Sequence, residues 1–97
     1  MTSRRRPLDL DQAETLALGA LRFLAGDMAR LSRFLAITGI GPADLRSGAG
    51  DHAVLTAVLD FLLQDQSLLL VYAAENSLEP ATVEDARRVL GGRPDLD

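Results

Sequence analysis

No cysteine and no lysine occur among these 97 residues, histidine occurs once, and aromatic side chains make up only 4% of the chain. The missing cysteine excludes disulfides, thiolate metal sites and a thiol nucleophile, and it fits a reducing cytoplasm. Scarce aromatics leave leucine, alanine and valine to build the core, a palette that favours helices over strands. An excess of positive charge is lacking too. The net charge is −4, which argues against general affinity for nucleic acid or anionic lipid, since such binding neutralises many phosphates with a basic surface. The longest apolar run, Leu68 to Ala74, falls far short of the 18 or so residues of a membrane span. That all ten basic residues are arginine reads as the mark of a GC-rich genome rather than selection for bidentate anion binding.

What is present spells out helices. The length fits one domain, able to bury about 60 to 70% of its extended surface without staples. Asp9 caps a first helix with Gln12 in the capping-box position, and Ala13, Leu16, Ala17, Ala20, Leu21 and Leu24 form its inner stripe. Gly26 ends it. Asp27 caps a second helix that turns Met28, Leu31, Phe34 and Leu35 inward, sets Arg30 and Arg33 on its other face, and stops at Gly39. A short third helix opens at Pro42, with Ile40 stapled onto Leu45. After a loop from Ser47 to Gly50, Asp51 caps a fourth helix carrying Leu55, Val58, Leu59 and Leu62. Asp65 caps a fifth that runs to about Asn76. The last opens at Pro80, with Leu78 stapled onto Val83, and ends at Gly91 and Gly92. The expected fold is an all-α bundle of five or six short helices over residues 9–92, with an Arg-rich disordered tail at 1–8 and a frayed one at 93–97.

Sliding the chain against itself by 38 residues pairs Leu21 with Leu59, Phe23 with Phe61, Asp27 with Asp65, Phe34 with Tyr72, and Pro42 with Pro80, without a gap. Matched caps and prolines are harder to obtain by chance than matched leucines. The pattern points to two tandem halves, about 9–50 and 51–92, each a helical hairpin followed by a short helix. The halves differ in one respect. Where the second helix has Arg30, Ser32 and Arg33, the fifth has Leu68, Leu70 and Val71, so it is apolar all round. Such a helix is buried at the centre of its own domain, against a second copy, or in a groove for a foreign peptide. Central burial is the expectation for a chain this small.

No residue set carries recognisable chemistry. His52 follows a helix cap beside Asp51, but sequence neighbours on a helix do not face each other. Ser47, Asp51 and His52 form a triad in composition only. Gly48-Ala49-Gly50 lacks the strand and the Lys-Ser/Thr of a phosphate loop. No histidine stands at helical spacing from two carboxylates, so no metal or cofactor is implied. Tyr72 is expected to pack in the core with its hydroxyl at an edge.

The run Arg33-Phe34-Leu35 leading to Thr38-Gly39, then Pro42 and Asp44-Leu45-Arg46, followed by Val58-Leu59-Asp60-Phe61-Leu62-Leu63 and Asp65, resembles a family of short bacterial proteins known as a domain of unknown function. The resemblance spans about Ala13 to Leu90. In that family an acidic residue often follows the aspartate corresponding to Asp65, and here Gln66 stands in its place. The resemblance implies an all-helical fold and brings no assigned activity or functional residue.

The functional expectation is therefore a non-enzymatic, cytoplasmic interaction module, a homodimer or the binder of an unidentified protein, with Leu68, Leu70 and Val71 at its interface. A different reading is a small nucleic-acid-associated regulator using Arg4, Arg5 and Arg6 as an arm and Arg46, Arg87 and Arg88 as backbone contacts.

Overall fold

The computed structural model describes residues 8–48 and 51–91, and these form six helices: α1 (Leu10–Ala25), α2 (Met28–Thr38), α3 (Pro42–Ser47), α4 (His52–Leu63), α5 (Gln66–Glu75) and α6 (Pro80–Gly91). No strand occurs among the described residues. The expected caps are all in place. Asp9 and Gln12 form a reciprocal capping box, and the carboxylates of Asp27, Asp51 and Asp65 accept from first-turn amides of α2, α4 and α5. Each satisfies donors that a helix start leaves without an intrahelical partner.

The core lies between α1, α4 and α6. Along α1 the small side chains of Ala13, Ala17 and Ala20 are fully buried, which lets neighbouring helices approach closely. Val58, Leu59 and Leu62 of α4 are likewise sealed from solvent, and Val83 and Ala86 bring α6 onto both. The central helix is thus α4, with six buried residues, and not α5. That corrects the expectation drawn from composition. A break at Gln64 and Asp65 turns α5 through 107° from α4, so α5 lies at the margin and buries only Leu69, Tyr72 and Ala73. Met28 also departs from expectation, being 77% exposed. It is the first residue of α2, and its side chain leans back past the helix start rather than down onto the core.

Positions 38 apart carry matching contacts. Thr38 and Asn76 each donate a side-chain hydrogen bond to the carbonyl four residues before, on Phe34 and Tyr72. The next residues, Gly39 and Ser77, both take left-handed backbone angles, φ 78° and 55°. Phe23 packs on Tyr72 with ring centroids 5.2 Å apart, and Phe61 packs on Phe34 at 5.4 Å. Exchanging the halves maps one aromatic pair onto the other. The correspondence fails at α3 and α6: α6 seats Val83, Ala86 and Leu90 in the core, whereas the six residues of α3 include none that is buried.

Candidate functional site

Three features of the surface bear on function. The first is a cleft of about 530 Å³ between α1 and the α5–α6 connection, floored by Leu16, Gly19 and Leu78 and rimmed by Thr15, Arg22 and Asn76. Tyr72 reaches it from below. Its ring is 2% exposed and its hydroxyl donates to the Leu16 carbonyl at 3.2 Å, as its amphipathic character requires. Burial raises its pKa above the ordinary phenol value, because desolvation penalises the phenolate. Gly19 stands mid-helix, where glycine costs about 1 kcal/mol relative to alanine. A β-carbon there would meet nothing closer than the Tyr72 hydroxyl at 3.8 Å, an ordinary contact. Packing within the protein therefore does not require the glycine.

The cleft continues into a groove of about 260 Å³ bounded by Gly19, Arg22, Phe23, Glu75 and Asn76. A counterpart lies on the other half. Ala57, Asp60, Phe61, Ile37 and Thr38, each 38 positions from its equivalent, line a groove of about 240 Å³. Of the five pairs only Phe23 and Phe61 are identical; Ile37 stands opposite Glu75, Thr38 opposite Asn76, and Asp60 opposite Arg22. Alanine replaces the glycine in the floor, and the acid in the second groove, Asp60, receives a hydrogen bond from Arg87 of α6.

The second feature is the outer face of α5. Leu70 is 47% and Val71 40% exposed, while Leu68 is partly buried against the core. Of the three residues singled out in the sequence, two therefore present apolar surface and one is mostly engaged. On the corresponding face of α2 the arginines are in use. Arg30 stacks over the Phe23 ring at 4.3 Å, and Arg33 lies over Phe61 while its guanidinium donates to Asp65 at 3.1 Å.

The third feature is a contact between Glu14 of α1 and Nε2 of His52 at the start of α4. The histidine thus pairs with a carboxylate from another helix and not with its neighbour Asp51, whose side chain caps α4. Sequence spacing gave no sign of this pair except one: the two positions are 38 apart. No third group joins them, and no group of three or more His, Cys, Asp or Glu suited to a metal occurs among the described residues. The arrangement joins α1 to α4.

Of the arginines proposed as nucleic-acid contacts, Arg46 is exposed on α3, while Arg87 and Arg88 on α6 donate to Asp60 and Asp85. Arg4, Arg5 and Arg6 lie outside the described residues.

A family model covers residues 10–93, all six helices. The chain belongs to DUF3572, a family of proteins of unknown function. The family's span starts with α1 and closes after α6, so the α5 face, both grooves and all of the cleft lining except Leu8 lie within it. Comparison with curated proteins and with solved structures finds no match. No single helix among the described residues is long and apolar enough to cross a membrane.

Proposed function

We propose that this DUF3572 protein is a non-enzymatic interaction module that self-associates through the outer face of α5. The observation that carries the reading is the exposure of Leu70 and Val71 at positions where the matching helix holds Ser32 and Arg33. Removing such surface from water contributes about 25 cal/mol per Å² of apolar area. A second copy is the partner the reading commits to, because a patch of this kind is complementary to itself across a two-fold contact. The Glu14–His52 contact joins α1 to α4 and the Arg87–Asp60 pair joins α6 to α4, so both fit a structural role within the module.

Sedimentation velocity over the micromolar range tests the proposal. Concentration-dependent dimerisation that is lost in Leu70→Ser/Val71→Ser, with the helical circular dichroism unchanged, is the expected result. A wild-type chain that sediments as a monomer throughout removes self-association.

A further inference from the structure

We propose that the cleft between α1 and the α5–α6 connection binds a small organic anion with an apolar body, its acidic group held by Arg22 and its body laid over Gly19. This site is separate from the α5 face and does not depend on it.

The two equivalent grooves provide an internal comparison. In the second half the floor carries a methyl group, Ala57, and the charged residue of the wall, Asp60, is matched by Arg87 from α6. In the first half the floor is Gly19, although an alanine would meet only an ordinary contact there. The wall carries Arg22, which makes no ion pair among the described residues, together with Glu75 in the place of Ile37. A helix-interior glycine leaves the backbone open to close approach by another group. The space it leaves joins the 530 Å³ cleft, a volume within the usual range for small-molecule sites.

The lining sets the ligand class. Leu8, Leu16 and Leu78 provide an apolar bed, and Thr15 and Thr82 add hydroxyls along the walls. A guanidinium presents paired donors that match a carboxylate or sulfonate. Asp11 lines the cleft toward the start of α1, at the opposite end of the helix from Arg22, so the two charges orient the ligand with its acid toward Arg22. Glu75 shares the Arg22 end and weakens the site for an anion. Its neutralisation is therefore expected to tighten binding.

Octanoate and octanol, titrated separately into the full isotopically labelled chain and followed by amide NMR shifts, distinguish the contributions. Octanoate is expected to saturate, with the largest shifts at Gly19, Arg22 and Asn76, and octanol to bind the same residues more weakly. Arg22→Gln is expected to weaken octanoate about tenfold, the scale of one charge-assisted hydrogen bond, while leaving octanol within about twofold of its original affinity. Glu75→Gln should strengthen octanoate alone. Gly19→Leu should abolish binding of both. Gly19→Ala raises Tm by about 4 °C or more and still weakens both ligands, which separates occlusion from misfolding. Failure of octanoate to saturate in the millimolar range overturns the proposal. So does an Arg22→Gln effect equal for acid and alcohol, or shifts centred on Leu70 and Val71 instead of Gly19.

Discussion

Raising the pH above 9 isolates a single side chain in this protein. Lysine and cysteine are absent and Tyr72 is the only tyrosine, while arginine stays protonated throughout. Tyr72 is almost completely buried, and loss of hydration raises its pKa in the folded state. The direction of linkage follows. Below the ordinary value of about 10, both states hold the proton and the contribution of the neutral phenol is complete. Above it the unfolded chain ionises first, so unfolding releases a proton and stability falls with a slope approaching about 1.4 kcal/mol per pH unit. The decline ends when the folded phenol itself ionises. Urea unfolding followed by circular dichroism, at intervals from about pH 9 upward, measures the slope. Tyr72→Phe removes the hydroxyl that donates to Leu16, costs about 1 kcal/mol at neutral pH, and should leave stability independent of pH over the same range. If the wild type and Tyr72→Phe lose stability in parallel, the alkaline transition has another origin and the reasoning fails.

Three further outcomes are expected in urea midpoints at neutral pH. Asp65→Ala removes both the cap of α5 and the acceptor for Arg33 and should cost about 1 to 2 kcal/mol, whereas Asp65→Asn keeps a capping oxygen and should cost less than about 1 kcal/mol. Ser77 holds φ 55° just past α5, with the Leu78 amide donating to the Ala73 carbonyl at 2.8 Å. This is the turn in which glycine is usual, so Ser77→Gly should stabilise by up to about 1 kcal/mol. Phe34→Ala empties a fully buried site against Phe61 and should cost about 3 to 5 kcal/mol.

Local chemistry was legible before the fold. Asp9, Asp27, Asp51 and Asp65 cap where the sequence placed them, Pro42 and Pro80 open α3 and α6, and the inner stripe of α1 is buried at Ala13, Ala17, Ala20, Leu21 and Leu24. These signals act over three or four residues and need no knowledge of the rest of the chain. The placement of α5 did not follow, because uniform apolarity gives a helix no preferred face. Its position is set instead by the sharp turn at Gln64 and Asp65. Met28 illustrates a smaller form of the problem, since apolar spacing does not distinguish a helix start from its interior. The cleft was hidden for a different reason. Gly19 reads as one weak helix former among good ones until its neighbours Arg22 and Tyr72 are seen around it.

The position of α6 has a consequence for how the chain comes to be folded. It lies across both α1 and α4, so the pair formed by those two helices has an uncovered apolar side until Val83, Ala86 and Leu90 arrive. During synthesis, which proceeds at about 5 to 20 residues per second, α1 to α5 leave the ribosome without the element that closes them. A nascent chain at that stage is a set of helices waiting for a lid, exposed to chaperones and to other unfinished copies alike.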